Sequence, residues 1–168
     1  IMTQRAFEIS PEIKGLNKND ILNALNLSDS DLDDRCPVQI ASTGHSKVMV
    51  GIKSRKTLNS LTPDLGKLTN ISRKIGCNGY FVFTFDSDDK DILTHGRMFA
   101  PIIGIPEDPV TGSAHCALIP FWAEKLKKNE MHALKLSKRG GELFVENKKN
   151  RVAIAGRVAK FMEGIIEI

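Results

Sequence analysis

Hydrophobic and polar positions alternate along much of the chain. The alternation predicts strands over residues 4–9, 38–41, 47–53, 79–86, 92–99, 133–137, 142–147, 151–155 and 158–168. Ser10-Pro11 closes the first of these, while Gly140-Gly141 and residues 147–150 supply turns. Two segments shift to a spacing of three and four. Ile21, Leu22, Ala24 and Leu25 share one face of a short helix that Asn19 or Asp20 can cap. Leu65, Leu68, Ile71 and Ile75 define a second helix, with Pro63 suited to its first turn and Gly76 to its end.

The segment 111–126, Thr-Gly-Ser-Ala-His-Cys-Ala-Leu-Ile-Pro-Phe-Trp-Ala-Glu-Lys-Leu, behaves differently. Its apolar residues occupy every face, so a helix here must be surrounded by protein. Pro120 removes one of its hydrogen bonds and predicts a kink. Antiparallel strands need a covered face, and a helix apolar all round needs sheet on several sides. Both demands are met by an α+β domain in which a barrel-like, mostly antiparallel sheet wraps a central apolar helix, with the two lesser helices outside.

Composition narrows the function classes. The chain has 168 residues, 41% of them hydrophobic and 26% charged, with a formal net charge of +4. This is the balance of an ordinary globular domain. Its lysines are scattered apart from short clusters at 125–128 and 148–151, and there are only one Trp and one Tyr. A basic stripe interleaved with aromatics is missing, so nucleic acid is not an expected partner. The longest apolar run, 117–123, is too short to cross a bilayer, and the acidic Glu8 and Glu12 do not suit a signal peptide. Cys36, Cys77 and Cys116 share no close spacing, which fits reduced thiols in a cytoplasmic protein rather than a metal knuckle.

Chemistry concentrates at residues 104–115, Gly-Ile-Pro-Glu-Asp-Pro-Val-Thr-Gly-Ser-Ala-His. Gly112 lets backbone approach a ligand, and the first-turn amides of the following helix make a site for a carboxylate, with the Ser113 hydroxyl as a further donor. Asp108 stands beside that site, where a carboxylate can accept a proton or hold an ammonium group. A plainer reading of the same residues is that Asp108 or Thr111 simply caps the helix. Glu107 and Asp108 are adjacent in an extended stretch and should point to opposite sides. His115 reads as a hydrogen-bonded core histidine. Arg97 is able to grip a carboxylate bidentately, although an edge or surface role is the commoner one. No phosphate loop, dinucleotide pattern or metal-ligand spacing is present, so ATP, NAD(P) and a metal lack support.

The stretch Arg97-Met98-Phe99-Ala100-Pro101 followed by residues 104–115 resembles the second signature of the PhzF-like isomerases, the phenazine-biosynthesis family. Ser42-Thr43-Gly44 is similar to that family's Ser-Thr-Gly turn, Pro63-Asp64-Leu65 to the helix after it, and residues 137–143 to its later glycine turn. The resemblance implies one half of a diaminopimelate-epimerase-like fold, with residues 1–10 as an interdomain segment and 11–168 as the C-terminal domain. It implies a cofactor-independent isomerase that moves a proton on a small carboxylate-bearing substrate. Asp108 would be the substrate-side catalytic aspartate, with Thr111, Gly112, Ser113, Ser42 and Gly44 binding substrate.

The family's N-terminal signatures, including a catalytic glutamate and a Gly-His-Pro loop, have no counterpart in these residues. The expected partners are therefore a small carboxylate and the missing N-terminal half, in cis or as a separate chain, with a second copy of this chain as a further candidate. The competing expectation is a non-catalytic module that binds a small anion, a metabolite or a protein through the same helix end.

Overall fold

The computed structural model of the protein describes residues 1–5, 8–148 and 151–165. Ten strands form one sheet: β1 (Met2–Arg5), β2 (Glu8–Glu12), β3 (Gln39–Ser42), β4 (Ser46–Gly51), β5 (Gly79–Thr84), β6 (Thr94–Ala100), β7 (Ile105–Asp108), β8 (Glu130–Lys135), β9 (Gly141–Lys148) and β10 (Arg151–Ala155). The order is β1-β10-β9-β8-β6-β5-β4-β3-β2, with β7 added beside β6. Only β4 with β5 and β6 with β8 run parallel. The sheet is α+β in character and mostly antiparallel, as expected. It is open, ending at β1 and β2, so the expected barrel is not closed by a continuous ladder.

Among the described residues four α-helices cover the sheet: α1 (Gly15–Ala24), α2 (Arg55–Asn59), α3 (Leu65–Ile75) and α4 (Gly112–Leu126). Period-two alternation sorts the strand residues between two cores. Val48, Val50, Tyr80, Val82 and Phe99 face α1, α2 and α3 with Ile21, Leu25, Leu58 and Leu68. Met49, Phe81, Phe83, Met98, Met131, Ala133, Leu143, Val145 and Ile154 face the other way. Ala114, Cys116, Ala117, Leu118 and Ile119 of α4 belong to this second core, and with His115 they make six consecutive buried residues. Residues 114–119 of α4 are thus buried, while Gly112 and Ser113 before them are partly exposed, and the helix continues through Pro120. Among the described residues no helix is long and apolar enough to cross a membrane.

Several elements depart from expectation. The strand predicted over 4–9 is divided between β1 and β2, the latter running past Pro11 to Glu12; Ala6 and Phe7 lie outside the described residues. The two halves pair with opposite ends of the sheet, β1 with β10 and β2 with β3. Helix α1 begins well before Asn19, after an extended Lys14 that provides no side-chain cap. Pro63 precedes α3, and Asp64 is the cap, its carboxylate accepting from the Lys67 amide at 2.9 Å. Gly76 ends α3 in the left-handed conformation at φ +71°, as expected. Of the turn expected at 147–150, residues 149 and 150 lie outside the described part.

Residues 158–165 form no strand, and 166–168 lie outside the described residues. Both sides of β10 are already paired, to β1 and β9, so its sheet edge is taken. Val158, Phe161, Met162 and Ile165 are exposed.

The helical cover is tied down by one buried hydroxyl. Tyr80 Oη donates to the Leu68 carbonyl at 2.9 Å and accepts from Ser72 Oγ at 3.0 Å, joining β5 to α3. Tyr80→Phe removes both bonds and leaves their partners dry, so urea unfolding should show a loss of about 1–2 kcal/mol. No measurable loss would mean that α3 is held by apolar packing alone.

Candidate functional site

The turn that precedes α4 is assembled by three neighbours. β7 pairs with β6 through Met98–Asp108 and Ala100–Ile105, which carries the chain to the edge of the central strands. Arg97 on β6 fixes that strand by gripping Glu107, with Nε to Oε1 at 2.8 Å and Nη2 to Oε2 at 2.9 Å. Its remaining nitrogen donates to the carbonyls of Leu58 at 3.2 Å and Leu61 at 2.9 Å. Arg97 thus holds a carboxylate of its own chain, and its role here is structural. Glu107 turns toward Arg97 while Asp108 turns toward Thr111, the opposite orientations expected of neighbours in an extended strand. From the other side, Ser137 Oγ donates to the Pro109 carbonyl at 2.8 Å.

Gly141 is required by this packing. A Cβ there would lie 2.1 Å from Val110 Cγ2 and 3.3 Å from both Val110 Cβ and Cγ1. Gly141→Ala should therefore displace Val110 and the adjoining turn, at a cost of about 1–3 kcal/mol seen in thermal unfolding. Unchanged stability would show that the turn is looser than this contact implies.

The capping alternative can now be judged. Thr111 occupies the N-cap of α4, yet its side chain makes no capping hydrogen bond. Its hydroxyl instead donates to Asp108 Oδ2. Neither side chain expected to cap the helix does so in the usual manner, and the first-turn amides retain the positive end of a 15-residue helix. Gly112, Ser113 and Asp108 are each partly exposed, whereas Thr111 is buried. Concavities of about 430 and 560 Å³ exist elsewhere, and neither is lined by these residues.

Ser42 and Gly44 shape the turn between β3 and β4. The Gly44 amide donates to Ser42 Oγ at 3.2 Å, and Gly44 has φ +114°, a conformation that favours glycine. What this hairpin sends toward the α4 turn is Lys47. Its side chain is in phase with Met49, on the α4 side of the sheet, and Nζ donates to the His45 carbonyl at 2.7 Å. Burial brings the Lys47 ammonium down to about 8, against the opposing influence of Cys116 and the Asp108 charge. Burial raises the Cys116 thiol to about 11. All three cysteines are buried, and none forms a disulfide.

His115 is a core histidine, as expected. Its Nδ1 lies 2.8 Å from the Thr111 carbonyl, and a carbonyl can only accept, so Nδ1 carries the proton. Nε2 is buried with no hydrogen-bond partner. Burial, then the charge of Lys135, pushes the imidazole down to about 4. Its unfolded value lies near 6.5, so stability present above pH 6.5 should decline as pH falls toward 4. Acid titration of unfolding should show this decline weakened in His115→Gln. Two further histidines serve elsewhere: His95 meets Ser87 at 3.2 Å, and His132 meets Glu142 at 2.7 Å while stacking on Phe144. Among the described residues no group of three or more side chains suited to a metal ion comes together.

Two lysines of this region escaped the sequence reading. Lys135 is 2% exposed and shares its face of β8 with Met131 and Ala133 of the α4 core. Lys47 is also 2% exposed. For Lys135 a local signal was present, since it shares the phase of Met131 and Ala133 in an alternating strand, whereas Lys47 shares its phase with Met49, Gly51 and Lys53 and shows none.

Comparison with known proteins places this geometry in context. The sequence matches the family described as Phenazine biosynthesis-like protein over residues 9–164. An uncharacterized isomerase of Clostridium acetobutylicum is 57% identical over 115 residues, a match covering 68% of this chain and 38% of that protein. The uncharacterized isomerase YddE of Escherichia coli K12 is 49% identical over 62% of this chain and 35% of its own length.

Among solved structures, a phenazine biosynthesis protein of the PhzF family from Enterococcus faecalis superposes with a TM-score of 0.67 at 28% identity, over 89% of this chain and 53% of that one. The PhzF-family protein of Bacillus anthracis gives a TM-score of 0.75 at 24% identity, over 92% and 56%. The chain thus spans about half the length of the solved structures and a smaller share of the curated relatives. With the family match running from β2 to beyond β10 and the same fold found in its solved members, the chain belongs to the phenazine biosynthesis-like (PhzC/PhzF) family.

Proposed function

We propose that this chain is the C-terminal half of a cofactor-independent isomerase or epimerase that moves a proton on a small carboxylate-bearing substrate. The observation that carries the reading is the α4 N-terminus, left uncapped by Thr111, with the Asp108 carboxylate held beside it. A substrate carboxylate would sit on the Gly112 and Ser113 amides, where the helix dipole favours negative charge. Asp108 would face the reacting side, accepting or returning a proton or holding an amino group. Ser42 and Gly44 would line the rim from the β3–β4 turn.

The isomerase names of the relatives support a proton-moving reaction, and their greater length supports a second domain across the open site. We read the curved run from β3 to β10 around α4 as a half-barrel whose helix end faces that domain. The second domain would supply the opposing acid or base and complete the pocket wall. Association through this face, with the remaining half or with a second copy, belongs to the same proposal.

The test is solvent deuterium incorporation at the α-carbon of a panel of amino and hydroxy acids. This chain assembled with the half its relatives carry should catalyse exchange on at least one of them, and the chain alone should not. If no acid exchanges in the assembly, the isomerase reading is wrong and a binding module takes its place.

A further inference from the structure

We propose that Lys135 is the buried counter-cation of the anion held at the α4 N-terminus, taking up a proton when a carboxylate arrives and releasing it when the carboxylate leaves. This rests on the carboxylate site proposed above, and it assigns that site a residue and a pH dependence of its own.

A lysine carried into an apolar core must find an anion, lose its proton, or destabilise the fold. Lys135 is 2% exposed, and its Nζ has no hydrogen-bond partner. Its one described close neighbour is the face of Phe81, 5.0 Å from Nζ to the ring centroid. The edge of that ring contacts His115, one turn into α4, with centroids 5.0 Å apart. Lys135 therefore lies near His115 in the first turns of α4, and its charge reaches that imidazole.

The charged groups around it do not complete a pair. Asp108 and Glu107 on β7 attract its charge, and Arg97 on β6 opposes it. Glu107 is already committed to Arg97, and Asp108 accepts from Thr111. His115 on α4 is neutral and adds no anion, while Lys47 on β4 is a second buried cation that the Asp108 charge reaches. Burial consequently brings Lys135 down to about 7, leaving it part-protonated at neutral pH.

A carboxylate seated on the Gly112 and Ser113 amides would add a negative charge in the same low-dielectric region and favour the ammonium form. Binding and protonation are then linked, so acid strengthens the site and base weakens it. Lys135 does not touch the ligand in this arrangement. It is a positioning residue that sets the field in which ligand and Asp108 lie.

Acetate serves as the anionic probe and acetamide as its uncharged control, with binding followed by NMR at the Gly112 and Ser113 amides of the full chain. Acetate should bind roughly tenfold more tightly at pH 6 than at pH 9, and acetamide should bind at neither. Lys135→Met and Lys135→Arg should each cut that pH dependence to the smaller part that Lys47 contributes, Lys135→Arg while keeping the affinity of the acid form, and a pH dependence unchanged in both variants would overturn the counter-cation. The side-chain titration of Lys135, read from its Cε resonance in the unmodified protein, should move upward when acetate is saturating; this arm needs no variant to fold. Acetate binding with an unmoved Lys135 titration overturns the counter-cation but leaves the carboxylate site standing. Failure of acetate to perturb either amide at either pH overturns both.

Discussion

In the isomerase assembly proposed above, Asp108→Asn is expected to lower substrate proton exchange by about 10²–10⁴-fold while leaving the fold unchanged. The substitution preserves shape, and an amide oxygen can still accept from the Thr111 hydroxyl that now donates to Asp108. What disappears is the negative charge and the ability to take a proton. Arg97 and Glu107 next door should be unaffected, because Glu107 faces the other side of β7. Unfolding curves of wild type and variant should therefore overlay while the exchange rates separate. An Asn variant that keeps most of the activity would reduce Asp108 to a structural partner of Thr111.

A second large effect concerns stability, and its direction runs against intuition for a charged-to-apolar change. Lys135 titrates near 10.5 when unfolded and near 7 when folded, because burial disfavours its charge. Between those values the unfolded chain binds more protons than the folded one, so folding is penalised at neutral pH and the penalty fades as pH rises toward 10.5. Lys47, brought down to about 8, contributes in the same sense. Lys135→Met fills similar space beneath α4 without the charge, and should raise the unfolding free energy at pH 7 by roughly 2–4 kcal/mol. The gain should shrink by more than half at pH 10. Urea unfolding at the two pH values reads both quantities, and a variant less stable than wild type at both would show that the lysine packs well as it is. A residue that weakens the fold while serving the site is the compromise expected of a functional position.

The sequence pattern carried far where burial dictates it. Six consecutive buried residues in α4 follow directly from a segment apolar on every face, and β5, β6, β9 and β10 lie where alternation places them, give or take a residue or two. Gly76 ends α3 by local chemistry that a sequence displays openly, whereas the Asp64 cap was passed over for Pro63 in the first turn. The failures have local causes. β7 is four residues long with Pro106 inside it and Pro109 just after it, so nothing in the stretch looks strand-like, and its pairing comes from β6. Residues 158–165 alternate as a strand would but have no free edge beside β10 to pair with.

At the candidate site, Asp108, Thr111, Gly112 and Ser113 come from one contiguous motif, so their closeness at the α4 turn needs no long-range packing. Lys47 and Lys135 were not read, because their common link to Asp108 depends on strands far apart in sequence. Ser42 and Gly44 were singled out through the family resemblance, and the structure gives them the shape of a hairpin turn that delivers Lys47.

The account depends above all on where a substrate carboxylate binds. A crystal structure of the assembled protein with a small carboxylate inhibitor would answer this directly. The carboxylate oxygens should lie about 3 Å from the Gly112 and Ser113 amides, with Asp108 flanking the same ligand. A ligand seated elsewhere, with the α4 amides turned to bulk water, would contradict it.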